Sequence, residues 1–192
     1  MVTASESVVT EEKFKSGLSW EGYLGQLEKG RPRYEENYNE FKLSDEDAAF
    51  FKDLAQRPGG PARVLVITEW WCPDCFREVP VAVKIAEAAG MELRVVARDE
   101  HLDVMSEFLR NGEFQSIPVF VFYTSDGRYL GHWIERTKLA YEETHLLREA
   151  TEGKSKEEQK ESYIAFQKGP TWANWRDETV KELKDLLGGA AA

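Results

Sequence analysis

The sequence predicts an α/β fold: a small mixed sheet with helical additions at both ends of the chain. Three observations carry this expectation. Val64-Leu65-Val66-Ile67-Thr68 and Val119-Phe120-Val121-Phe122 are short, apolar runs of strand length, rich in β-branched and aromatic residues. Between them lie two stretches with helix punctuation, Pro73 to Gly90 and His101 to Gly112. Outside them, residues 1–61 and 136–192 are polar or heavily charged and helix-like.

The elements follow in order. Thr10-Glu11-Glu12-Lys13 opens a helical pattern through Phe14, with Leu18, Tyr23 and Leu27 further on. Ser44 followed by Asp47 resembles a capping box ahead of Ala48, Phe50, Phe51 and Leu54, with Asp in the Glu role. Arg57-Pro58-Gly59-Gly60-Pro61 breaks that helix. Val64 to Thr68 reads as a strand buried on both faces. Pro73 to Ala89 reads as a helix with Phe76, Val79, Val83, Ile85 and Ala86 as core candidates, ended by Gly90. Leu93, Val95 and Val96 mark a second strand, and His101 to Arg110 a short helix stopped by Asn111-Gly112. Val119 to Tyr123 and Tyr129 to Ile134 are strands joined by a hairpin turn at Ser125-Asp126-Gly127. In the order β-α-β-α-β-β, the strands joined through helices are expected parallel and the last pair antiparallel. Lys168-Gly169-Pro170 breaks the C-terminal helical region, Trp172 to Leu187 reads as the last helix, and Gly188 to Ala192 as a frayed tail.

Composition bounds the function. The 192 residues suffice for one domain with additions, and a chain this size buries roughly 70% of the surface its unfolded form exposes. Ten Phe, seven Tyr and six Trp argue against disorder. The net charge of −10 repels phosphate backbones, so a nucleic-acid partner is not expected. No apolar run approaches the roughly 18 residues of a membrane helix, so no membrane partner is expected either. The acidic, polar N-terminus does not read as a secretory signal, and the expected compartment is a reducing cytoplasm.

The two cysteines are the informative pair. Cys72 and Cys75 are separated by two residues and close almost no loop, so a structural disulfide framework is not the reading. Redox chemistry, half of a metal site and coincidence remain. Structural zinc takes four ligands, and His101, His132 and His145 are scattered, so no metal is expected. Trp71-Cys72-Pro73-Asp74-Cys75 sits between a strand and its helix, the context a redox dithiol requires. Cys72 falls at the helix N-terminus, where free N–H groups and the dipole favour a thiolate. Cys75 lies one turn on, on the same face, placed to attack a mixed disulfide formed by Cys72. Pro73 suits the first helical position and leaves the N–H groups of Asp74 and Cys75 free to donate. The Asp74 carboxylate opposes a nearby thiolate, so a moderately lowered Cys72 pKa is expected. Ser116-Ile117-Pro118 precedes a strand, where the X-Pro bond can be cis.

On these residues the chain resembles the thioredoxin family over about 62–135. The motifs are Val64 to Thr68, Trp71 to Cys75, Pro80 eight residues after Cys72, and Ile117-Pro118-Val119-Phe120 with Gly127. The resemblance implies a three-layer α/β/α thioredoxin fold, with extensions at 1–61 and 136–192, the latter packing on the same domain. It implies that Pro118 is cis and faces the dithiol, that the backbone of Ile117 pairs with substrate, and that Trp71 offers an apolar docking surface. The Pro73-Asp74 dipeptide resembles small thioredoxin-related proteins with a W-C-P-D-C site, and the flanking helices and the Arg98-Asp99-Glu100 run look most like a bacterial group of thioredoxin-like proteins. The sequence departs from thioredoxins at Val66, where they carry a buried acid. Glu69 is nearer the site and reads as a solvated strand-end carboxylate, and Arg98-Asp99-Glu100 as a charged loop.

The expected function is a thiol–disulfide oxidoreductase, most simply a reductase acting on disulfide-bearing proteins or small molecules. Cys72 attacks and Cys75 resolves. No bound cofactor is implied; electrons come from an external thiol reductase or low-molecular-weight thiol. The other class the sequence leaves open is a thioredoxin-fold binding or sensor module whose added helices recruit a partner. Those extensions fit either a substrate groove or a dimer interface.

Overall fold

The computed structural model describes residues 7–190. The reading of the N-terminus as no secretory signal falls in part on residues 1–6, and Ala191 and Ala192 of the expected tail also lie outside the described residues. Four strands form one mixed sheet in the order β2-β1-β3-β4: β1 (Arg63–Thr68), β2 (Glu92–Ala97), β3 (Val119–Tyr123) and β4 (Tyr129–Ile134). β1 pairs parallel with β2 and β3 pairs antiparallel with β4, as expected. β3, expected parallel after a helical connection, instead runs antiparallel to β1; that connection, 98–118, holds only short helical turns rather than a full crossover helix. The hydropathy of each strand sets its place. β1 and β3, the continuous apolar runs, take the two inner positions, and β3 is buried throughout. β2 and β4, with Arg94 and His132 among their residues, lie at the edges and are only partly buried. Leu18 bridges Val95 with two backbone hydrogen bonds, so the N-terminal segment covers part of the β2 edge.

Helices flank this sheet. Four precede β1: α1 (Glu11–Ser16), α2 (Trp20–Gln26), α3 (Arg31–Glu40) and α4 (Asp45–Gln56). Thr10 and Ser44 cap α1 and α4 by accepting the N–H of the third residue on. The Asp47 carboxylate accepts from the Ser44 hydroxyl. α5 (Pro73–Ala89) follows β1, starts with Pro73 in its first turn and ends at Gly90 in a left-handed cap. α3 and α4 both pack against α5, which in turn lies on β1 and β2. Phe51, Leu54, Val79, Ile85, Ile67 and Phe120 are among the side chains sealed in this core.

The structure corrects three local expectations. The helix expected from His101 to Arg110 is only α6 (Leu102–Met105). Beyond it, Glu107 and Phe108 donate to Val104 and Met105, three residues back, so the chain tightens out of α geometry and buries Phe108. Arg98 to Glu100 is a 3₁₀ turn between β2 and α6 rather than a loop. The tail from Gly188 to Ala190 is helical: α10 (Pro170–Ala190) continues past Leu183 and Leu187, which are buried, and Gly188 runs beside the ring of Phe50. Pro170 begins this helix, as a first-turn proline does.

The chain divides into two compact units. One runs through Glu135 and takes in the chain again from Leu183; the other is Arg136–Glu182. The second unit holds α7 (Lys138–Glu142), α8 (Thr144–Thr151), α9 (Lys156–Phe166) and the first turns of α10. Its core is Ala140, Trp172 and Trp175, with Leu139 and Phe166 against them, and the Trp175 indole donates to Glu143 at 2.7 Å. Ser155 and Glu158 form a full capping box at α9, whose charged residues 156–161 face solvent.

Gly30 is among the glycines that this packing demands. Gly30 caps α3 at φ +82°, and a Cβ there would lie 2.4 Å from the Trp70 carbonyl oxygen. Gly30→Ala is expected to cost at least about 1–2 kcal/mol, the penalty of the left-handed backbone alone, and to perturb the tryptophan emission. Urea unfolding followed by fluorescence checks this; an unchanged midpoint contradicts it.

Candidate active site

The site forms where β1 ends and α5 begins. β1 runs straight through the core and exits at Thr68, which is buried. A tight turn follows, in which the Cys72 N–H donates to the Glu69 carbonyl at 3.3 Å. Cys72 then stands at the N-cap of α5 in extended geometry, and its sulfur accepts the Cys75 N–H at 3.4 Å. The strand fixes the turn, the turn fixes the cap, and the cap puts sulfur where a helix leaves N–H groups unsatisfied.

The cis peptide bond Ile117-Pro118 enters from the start of β3. The Cys72 thiol lies 3.6 Å from the Ile117 carbonyl oxygen. Cys72, Cys75, Pro73, Asp74 and the Ile117 backbone are thus brought together, from two segments distant in sequence. Trp71 and Trp70 lie beside them, each 43% exposed, and the Arg98 guanidinium sits 5.1 Å from the centre of the Trp71 ring. Next to these tryptophans opens a cavity of about 540 Å³, lined also by Tyr23, Leu27, Glu69 and Asp99.

The two thiols are electrostatically unlike. The Cys72 pKa is lowered, first by a hydrogen bond from the Cys75 thiol and then by the backbone N–H groups of Cys75 and Asp74. Burial and the Asp74 carboxylate oppose the shift without reversing it. Cys75 is wholly buried, and burial, with Cys72 beside it, pushes its pKa up. One sulfur is ready as a thiolate and the other is held as a thiol.

Three residues of the site, Arg77, Glu78 and Tyr34, were not picked out by the sequence. Arg77, fully buried, pairs with Asp74 at 2.9 Å and also binds Glu78 beside it. A charged residue inside an otherwise apolar helix face gives no periodic signal. Glu69 is buried rather than solvated: its carboxylate accepts the Asp99 N–H at 2.9 Å, and burial raises its pKa. Tyr34, on α3, is fully buried and reaches the turn, with its hydroxyl 2.9 Å from the Thr68 hydroxyl and 3.0 Å from the Glu69 carbonyl. It packs edge-on to Phe76 of α5 at 4.9 Å. Gly30-Arg31-Pro32, with proline in the first turn, was the available signal for α3. Val66, as read from the sequence, is buried in β1 and carries no acid.

A mixed sheet carrying a Cys-x-x-Cys at the first turn of a helix, opposite a cis-proline, defines the thioredoxin class. The family model described as thioredoxin matches residues 17–168, and the chain belongs to that family. The match extends well beyond 62–135, into both helical additions. Among solved structures, the chain is similar to a protein of unknown function from Pseudomonas aeruginosa, with a TM-score of 0.65 at 15% identity over 99% of each chain. It is also similar to an HIV epitope-scaffold protein, with a TM-score of 0.63 at 16% identity over 95% of this chain and 98% of that one. Both have the same fold. No curated protein matches the chain.

Among the described residues, no group of three or more His, Cys, Asp and Glu is placed to hold a metal ion, and no helix is long and apolar enough to cross a membrane.

Alkylation by iodoacetamide tracks the thiolate. The rate at Cys72 is expected to rise with pH through a midpoint below the roughly 8.5 of an ordinary cysteine. Asp74→Asn removes the opposing charge and moves that midpoint lower still. A profile centred at the ordinary value contradicts the geometry.

Proposed function

We propose that this protein is a thiol–disulfide oxidoreductase acting as a disulfide reductase. The observation that carries the reading is the asymmetry of the dithiol: Cys72 capped by backbone N–H groups with a lowered pKa, and Cys75 sealed behind it. The Cys72 thiolate attacks one sulfur of a substrate disulfide. That S–S bond breaks and the first substrate sulfur leaves with the electron pair. The Cys75 thiolate then attacks the Cys72 sulfur in the mixed disulfide, and the second substrate sulfur leaves. Two electrons pass to the substrate, and the protein ends as a Cys72–Cys75 disulfide. An external thiol reductase or a low-molecular-weight thiol returns it to the dithiol.

Substrate is held at the surface around Cys72. Ile117, whose carbonyl already lies against the Cys72 sulfur, offers its backbone to an extended substrate chain. Pro118 shapes that edge, and Trp71, half exposed beside the thiol, supplies apolar contact. Pro73 and Asp74 tune the thiolate through the helix start. The chemistry requires a reducing compartment, in keeping with a cytoplasmic protein.

The test is a pair of variants with a redox titration. Cys72→Ser is expected to abolish disulfide reduction, and Cys75→Ser to accumulate a mixed disulfide visible by mass spectrometry without reductant. The wild-type pair is expected to show a two-electron transition between roughly −200 and −300 mV. Full activity in Cys72→Ser, or no reversible disulfide in the wild type, overturns the reading.

A further inference from the structure

Beside the dithiol the chain buries a carboxylate for which it supplies no cation. Glu69, just past β1, is 6% exposed. Its Oε1 accepts the Asp99 N–H at 2.9 Å. Among the described residues its Oε2 meets no donor, and no Lys, Arg or His forms an ion pair with it. Arg98, the cation of the neighbouring turn, is committed to Asp99 and to the Gln115 carbonyl. The His101 Nδ1 donates to the Ala97 carbonyl oxygen at 3.1 Å. A buried charge is costly unless it is paired. Burial first, and then the charges of Asp99 and Glu100, raise the pKa of Glu69. Glu69 lines the cavity beside Trp70 and Trp71, so its small exposed remainder faces that space.

The cavity suits a cationic ligand. Its volume, about 540 Å³, lies in the range of about 300–1,000 Å³ that small-ligand sites occupy. The described residues lining it include Glu69, Asp99 and Glu100 and no Lys or Arg. Glu69 is buried while Asp99 and Glu100 are exposed, so negative charge runs from the rim inward. Trp70, Trp71 and Tyr23 add aromatic wall, which favours both a cation and the methylene stem that carries it. The turn sets the distance from this charge to the nucleophile. The Cys72 N–H donates to the Glu69 carbonyl at 3.3 Å, and a turn closed in this way keeps its end Cα atoms within about 7 Å. Two residues of extended chain span about the same length.

Resting on the disulfide-reductase reading above, we propose that this cavity is a subsite for a basic side chain, and that the preferred substrate is a polypeptide disulfide with a lysine or arginine close to its half-cystine. The ammonium or guanidinium group donates to the free Glu69 oxygen, and its aliphatic stem lies along Trp70 and Trp71. The half-cystine then presents its sulfur to Cys72 and its backbone to Ile117. Glu69 binds and orients; it takes no part in the exchange of sulfur bonds. A neutral side chain leaves the carboxylate unpaired, and an acidic one brings like charges together, so both are disfavoured here. The net charge of −10 attracts any cation, but that field does not depend on where the cation sits relative to the half-cystine. The subsite does.

The probes are short peptides with one cysteine activated as a 2-thiopyridyl disulfide, and with lysine, norleucine or glutamate two positions away on each side. The Cys72 thiolate bonds to the peptide sulfur, the peptide–thiopyridyl bond breaks, and the thiopyridyl sulfur leaves with the electron pair as the absorbing product. In a stopped flow with reduced protein, the lysine peptide is expected to react about tenfold faster than the norleucine peptide, with the glutamate peptide slower still. Glu69→Gln is expected to remove the lysine preference. Glu152→Gln, at an exposed acid in the other compact unit, removes the same charge and is expected to keep the wild-type ratio. If Glu69→Gln does not fold, Asp99→Asn with Glu100→Gln on the exposed rim carries the test, with the ratio falling roughly twofold. Equal rates for the three peptides in the wild type, or an undiminished ratio in the folded variants, overturn the subsite and leave the reductase reading intact. Cystamine outpacing hydroxyethyl disulfide with no lysine preference among the peptides overturns the polypeptide assignment. A Cys72 adduct that Cys75 never resolves, read by mass spectrometry, overturns the reductase reading and the substrate assignment with it.

Discussion

Everything at this site depends on where β1 lets go of the chain. Its inner position in the sheet and apolar side chains fix Thr68 in the core. Four residues later Cys72 must cap α5, because the Cys75 N–H has the Cys72 sulfur as its acceptor. That single hydrogen bond joins fold to chemistry. A cap satisfies a helix end, and here the capping atom is the nucleophile, so the interaction that starts the helix also favours the charged sulfur. Moving the helix start by one residue would turn the sulfur away from both the N–H groups and the Ile117 carbonyl.

The N-terminal helices belong to this arrangement rather than sitting apart from it. α3 lies against α5, and Tyr34 passes from one to the turn of the other, bonding Thr68 and Glu69. Trp20 and Tyr23 of α2 back Tyr34 edge-on at 5.7 Å each. Aromatic rings make a stiff wall, while their hydroxyls supply polar contacts in a place water does not reach. The segment that looks like an extension in the sequence therefore closes the back of the dithiol. The family match starting at residue 17 agrees with α2 and α3 being part of the family's architecture.

What the sequence discloses follows from which signals are local. β1 and β3 stand out because a strand buried on both faces must be apolar at every position. Cys72 and Cys75 stand out because their spacing is read directly, and Ile117-Pro118 because a proline ahead of a strand is unusual. Tyr34 does not stand out: it is one aromatic in the polar helix Arg31–Glu40, and its partner Thr68 is reached only through the fold. Arg77 and Glu78 are hidden for the opposite reason. Their charges mark them as surface residues in any periodicity argument, yet Arg77, paired with both Asp74 and Glu78, lets them be buried. The overlong reading of α6 has the same root. Its apolar residues fit a helix, but Phe108 reaches the core through tighter turns that spacing does not reveal.

The apolar setting of Cys75 shows why the two thiols stay unlike. A carboxylate placed near this sulfur, as at Val66, would itself have to be desolvated, at a cost of several kcal/mol without a partner. It would also oppose any thiolate beside it. With Val66 apolar and Cys75 wholly buried, burial keeps Cys75 protonated. Its thiol proton then supports the Cys72 thiolate through the hydrogen bond between the two sulfurs. Once Cys72 is joined to a substrate sulfur that demand is gone, and the buried thiol is left as the one free sulfur beside the mixed disulfide.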